Sequence, residues 1–118
     1  DVMRVKTGIV RRRKHKKVLR AAKGFRGASG DVIKQAKQAT MRAAAYSTRD
    51  RKVKKRKMRQ LWIIRINAGA RINGLTYSTL MNGLKRAGIV LDRKVLADMA
   101  LNNAAEFAKL AETAKAAL

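Results

Sequence analysis

With 118 residues the chain has room for one ordinary domain and an appendage, and too few for two full cores. Its 30 Lys and Arg against seven acids give a formal charge of +23, and self-repulsion on that scale calls for a polyanionic partner. The lack of Cys excludes disulfides and thiolate metal sites, and the single His argues further against a structural zinc; with no apolar run near the roughly 18 residues of a membrane span and no signal-like apolar stretch in the first thirty residues, a soluble intracellular protein without a membrane partner is expected.

The charge is uneven. Residues 1 to 60 carry 22 Lys and Arg against three acids, a balance of +19, whereas residues 61 to 118 carry eight against four, a balance of +4. The domain division expected from this is a basic extension over 1 to 60 and a globular domain over 61 to 118.

In chain order, the first eight residues read as an extended tail. "RRRKHKKVLRAAKG" follows and predicts a short helix over 11 to 23 closed by Gly24. Its cations are Arg11, Arg12, Arg13, Lys14, Lys16, Lys17, Arg20 and Lys23, with Arg26 just beyond. Lone His15 has no carboxylate nearby in sequence, which suits a phosphate contact and not a general base. Phe25 either stacks on an unpaired base or packs under the turn-rich "GFRGASG" joint.

From residue 31 to 68 there is neither Gly nor Pro, and the composition favours one helix of about 57 Å at 1.5 Å per residue, with "STRD" at 47 to 50 as an expected kink or break. Within it Arg49, Arg51, Lys52, Lys54, Lys55, Arg56, Lys57 and Arg59 leave no wide face free of charge at 100° per residue. A solvated charge run normally mixes signs, and this one has only Asp50. A helix that reads DNA from one groove needs cations on one side. Phosphates on several sides, as folded RNA offers, suit this pattern better.

Beyond Arg59 the pattern becomes that of a packed helical bundle. Met58, Leu61, Trp62, Ile66, Ala70 and Ile72 recur at spacings near three and four, so Trp62 is read as core and Gly74 as the helix end. Thr76 is the expected cap of a helix carrying Leu80 and Leu84 to Gly88; Asp92 caps one carrying Val95, Leu96 and Met99. Asn103 with Glu106 resembles a capping box before Phe107 and Leu110. The fold class is therefore all-α: a long basic N-terminal helical extension plus a small C-terminal helical bundle. Around the joint after Gly74, Arg71, Asn73, Tyr77, Ser78, Asn82, Lys85 and Arg86 form a second candidate RNA contact.

Four stretches, "KHKKVLRAAKGFRG", "RDRKVKKRKMRQLWIIRINAGAR", "YSTLMNGLKRAGIVLDRKVLADMA" and "FAKLAETAKAAL", closely resemble the bacterial-type large-subunit ribosomal protein L-twenty family, over nearly the whole chain. The resemblance implies a structural protein whose basic extension threads through large-subunit ribosomal RNA while the small domain sits on the RNA surface beside neighbouring ribosomal proteins. It also implies a role in early subunit assembly, and in some members repression of the protein's own messenger RNA. It places the chain in the ribosome, in the cytoplasm or an organelle, with no cofactor, no catalytic site and no need for self-association. Arg26, Ser47, Thr48 and Met58 depart from the family pattern, which weakens the case for base stacking at those places and leaves the phosphate role of the cations intact. The rival reading is a DNA-compacting, histone-like protein, which shares the charge but would be expected to dimerise or to present wedge residues for bent DNA.

Overall fold

The computed structural model describes residues 3–118. Five α-helices and one short 3-10 turn make up the secondary structure, and no strand occurs among the described residues. The helices are α1 (Gly8–Ala21), α2 (Ile33–Ile72), α3 (Tyr77–Arg86), α4 (Arg93–Asn102) and α5 (Ala104–Ala117), and the 3-10 turn spans Gly27–Gly30. Packing divides the chain into two compact units, Asp1–Lys52 and Val53–Leu118. The division falls inside α2.

α1 begins three residues earlier than expected, at Gly8, and residues 3 to 7 alone of the expected tail are without secondary structure; residues 1 and 2 lie outside the described residues. The chain leaves α1 through Gly24, whose φ of +91° is open to glycine at no steric cost. Closure of the joint depends on another glycine. A Cβ on Gly30 would meet the Phe25 carbonyl oxygen at 2.7 Å. Among the described residues of this first unit only Ala22 and Ala36 are fully buried, and α1 buries none of its residues. Its two helices are held by backbone bonds and very little apolar burial.

No kink occurs at "STRD": α2 runs unbroken through residues 47 to 50. The Thr48 hydroxyl donates to the Ala44 carbonyl at 3.3 Å, which satisfies it within the helix without breaking the run. Helix α2 also continues through Gly69. The missing side chain there admits a neighbour, since a Cβ would lie 2.9 Å from Cε1 of the Phe107 ring.

In the second unit α3, α4 and α5 pack with the last turns of α2 around Ile66, Ala70, Leu80, Leu84, Leu96, Ala97, Phe107, Ala111 and Ala114. Two helices end in the same way. At the end of α2, Leu75 N donates to Ala70 O at 2.8 Å and Gly74 N to Arg71 O at 3.1 Å; at the end of α3, Ile89 N donates to Leu84 O at 3.0 Å and Gly88 N to Lys85 O at 3.2 Å. These are Schellman endings, with Gly74 and Gly88 at φ +81° and +76° and the apolar residue after each glycine turned back onto the core.

The expected caps form at two starts. Thr76 Oγ1 accepts from Thr79 N while Thr79 Oγ1 accepts from Thr76 N, a reciprocal capping box with Thr in the place of Glu or Gln, and Asp92 Oδ1 accepts from Val95 N at 2.8 Å. Asn103 precedes α5 as expected but makes no side-chain cap bond, so the box with Glu106 is absent.

Several residues read as core are not. Met58 (38% exposed), Leu61 (37%), Ile72 (85%) and Val95 (43%) face solvent, and Trp62 is half-buried at the edge of the cluster. Spacing alone could not tell a covered turn of α2 from a bare one. Within the second unit, complete burial on α2 begins at Ile66.

Candidate nucleic-acid interface

In α1 and the joint after it, Arg11, Arg12, Arg13, Lys14, Lys16, Lys17, Arg20, Lys23 and Arg26 are all exposed, and His15 and Phe25 are half-buried. The first turn of α1 has no acid, and Asp31 is the only acid among described residues before Asp50. A cleft within the first unit brings Arg11, Lys14 and His15 of α1 together with Lys37 of α2. Four nitrogen-bearing side chains thus converge with no carboxylate among them.

Along α2, Arg51, Lys52, Lys54, Lys55, Arg56, Lys57 and Arg59 are exposed without an ion-pair partner. Arg49 differs. It pairs with Asp50 at 3.1 Å and lies over the Tyr46 ring, 4.6 Å from the centroid, so part of its charge is already answered within the chain. The Arg49–Asp50 pair is the only salt bridge among the described residues. Surface pairs of this kind are weak, and an incoming phosphate can replace the carboxylate. The charge run accordingly presents cations around the whole circumference of the helix, the arrangement that suits phosphates arriving from several directions.

The second candidate cluster is mixed. Arg71, Ser78, Asn82, Lys85 and Arg86 are exposed and uncommitted. Asn73 and Tyr77 are half-buried and already occupied by intramolecular bonds. Asn73 Nδ2 donates to Gly69 O at 2.9 Å, satisfying a carbonyl left over at the end of α2. The Tyr77 hydroxyl accepts from Arg93 Nε at 2.7 Å, and Tyr77 N donates to Asn67 Oδ1 at 3.2 Å. Asn67, Tyr77 and Arg93 thereby link α2, α3 and α4 in one line of hydrogen bonds. Arg93 had no place in the sequence reading. Its one signal was the "DRK" run that begins at the Asp92 cap, and its partner lies 16 residues away.

The described residues contain no group of His, Cys, Asp and Glu able to hold a metal, and no helix long and apolar enough to cross a membrane. Trp62 shares a shallow recess with Lys54, Lys55, Arg56, Met58, Arg59 and Lys94.

Comparison with known proteins agrees with this picture. The sequence model of the family described as Ribosomal protein L20 matches residues 4–110. The large ribosomal subunit protein bL20 of Fusobacterium nucleatum subsp. nucleatum is 76% identical over 116 residues, an alignment covering 98% of this chain and the whole of that protein. A cation-covered helix leading into a small bundle, together with a match of that extent, shows that the chain belongs to the ribosomal protein L20 family.

Proposed function

We propose that this chain is a structural, non-enzymatic constituent of the large ribosomal subunit, in the cytoplasm, and that it binds ribosomal RNA there alongside neighbouring ribosomal proteins. One observation supports the RNA part most directly: the exposed, acid-poor cations on every side of α2 between Arg51 and Arg59, for which the chain itself supplies no counter-charge. Family membership and the 76% identical large-subunit protein support the ribosomal part. The DNA-compacting alternative is not favoured by that family.

In this reading residues 1 to 60 thread among RNA strands, Arg binding phosphate with its planar fork and Lys as a point charge. Residues 61 to 118 dock on the RNA surface through Arg71, Ser78, Asn82, Lys85 and Arg86. Two finer roles extend it: support of early subunit assembly, and binding of the chain's own messenger by the C-terminal unit.

The test is copurification. A tagged chain expressed in a bacterial host is expected to sediment with large-subunit particles and to be released from them by ribonuclease. Release by deoxyribonuclease alone, with chromosomal DNA as the companion, would replace this reading with the rival one.

A further inference from the structure

We infer that Trp62 is a stacking platform for one unpaired RNA base, with Lys55, Arg59 and Lys94 holding the phosphates on either side of that nucleotide. The inference rests on the RNA-binding reading above and adds to it a site that reads a base, where the remainder of the cationic surface reads charge.

The geometry begins with one face of α2. At 100° per residue Lys55, Met58, Arg59 and Trp62 fall on a single side of the helix, and Ile66, Gly69 and Ala70 continue the same side into the core. Ile66, Gly69 and Ala70 are fully buried, whereas Lys55, Met58 and Arg59 are exposed. Trp62 is the residue at which covering stops, and it is half-buried. Part of the ring packs on the bundle and part faces the recess.

That recess has a volume of about 610 Å³, within the range of ligand-sized sites, and Lys94 of α4 forms its other wall. Its lining is two apolar side chains, Met58 and Trp62, ringed by cations with no acid among them. The nearest carboxylate in sequence to Lys94 is that of Asp92, which is engaged as the cap of α4. An apolar protein partner would meet several unpaired charges at that rim, at a high desolvation cost. A nucleotide supplies both halves of what the site lacks: a flat π-face for the indole and anionic oxygens for the rim.

Trp62 is the only tryptophan, so its emission reports on this site alone. The full chain is titrated to saturation with ten-residue oligoadenylate, with an A-form RNA duplex of equal charge, and with inorganic polyphosphate. All three are expected to bind, and only the single strand, whose bases are free to stack, is expected to quench the indole. Trp62→Phe should retain oligoadenylate affinity, Trp62→Leu should weaken it by about 5-fold or more, and neither change should alter affinity for polyphosphate. Lys94→Ala, at an exposed position, should weaken oligoadenylate binding by less and lessen the quenching, with helix melting followed by circular dichroism unchanged. Equal quenching by polyphosphate, or parent-like oligoadenylate affinity for a folded Trp62→Leu chain, overturns the stacking site while leaving RNA binding intact. Failure of all three polyanions to bind would instead remove the RNA-binding reading itself.

Discussion

Gly83 of α3 and Ala114 of α5 lie so close that a Cβ built on Gly83 would stand 2.6 Å from the Ala114 carbonyl oxygen and 2.8 Å from its Cβ. The contact is against backbone, which cannot rotate away as a side-chain tip can. Gly in the middle of a helix costs roughly 1 kcal/mol relative to Ala. On propensity alone Gly83→Ala should therefore stabilise. Overpacking against a fixed carbonyl costs about 1 to 3 kcal/mol and reverses the sign. Gly83→Ala is expected to lower the melting temperature, and Gly83→Val to lower it further. A rise in melting temperature for Gly83→Ala would mean that α3 and α5 separate at little cost.

Free of RNA, the first unit should be poorly protected. The fully buried residues among those described there are two alanines, while most of the chain's positive charge is concentrated in it, so little burial opposes the conformational entropy of ordering it. Amide exchange on the free chain is expected to be fast over residues 8 to 52 and slow at Ile66, Leu80, Leu84 and Phe107. Added RNA should slow the first set. Strong protection across residues 33 to 52 without RNA would refute this.

Salt separates the two candidate surfaces. Each phosphate neutralised adds about 0.7 to 0.9 to the slope of log affinity against log salt. Removing residues 1 to 52 is expected to reduce that slope by about 5 or more and to leave weaker, more site-selective binding by the remaining unit. An unchanged slope would place the phosphate contacts in the C-terminal unit.

The Asn67, Tyr77 and Arg93 line offers a subtler test. Tyr77→Phe removes the acceptor for Arg93 Nε and keeps the ring, so a stability loss of about 0.5 to 1.5 kcal/mol is expected in thermal melting. Asn67→Ala should cost a similar amount, since Tyr77 N would lose its only side-chain acceptor at the start of α3. If both variants melt like the parent, the line is incidental and Tyr77 is free to contact RNA.

Much of this architecture was legible in the sequence because local chemistry fixed it. Gly74, Gly88, Thr76 and Asp92 determine where helices stop and start through bonds reaching at most five residues, and each acts where it was expected. The charge run was legible for the same reason: exposure of Arg51 to Arg59 needs no knowledge of the rest of the fold. Misreadings arose where distant neighbours decide. Met58, Leu61 and Ile72 continue the spacing of Ile66 and Ala70, yet the bundle covers only part of α2. The same cause hid the role of Gly69, whose missing Cβ makes room for a ring 38 positions later, and the bond between Tyr77 and Arg93. "STRD" failed differently: its residues are only slightly poorer helix formers than their neighbours, a cost that a helix of 40 residues absorbs.

The boundary between contact and core along α2 can be tested by two substitutions ten residues apart. Ile66 is completely buried and belongs to the cluster formed with Leu80, Leu96 and Phe107, so Ile66→Ala removes three carbons from a packed site and should cost about 2 to 5 kcal/mol. A unit of this size holds about 5 kcal/mol in all, so the variant should be close to unfolded at ambient temperature. Arg56 is exposed and without a partner, so Arg56→Ala should leave melting unchanged. Its effect should appear instead as weaker RNA binding with a salt slope reduced by about 1, and it should fade as salt rises. Thermal melting and salt-dependent RNA affinity of both full-length variants decide the matter. Normal melting of Ile66→Ala would mean that the bundle closes without α2. A melting loss for Arg56→Ala would mean that the core reaches two turns further towards the N-terminus than Trp62.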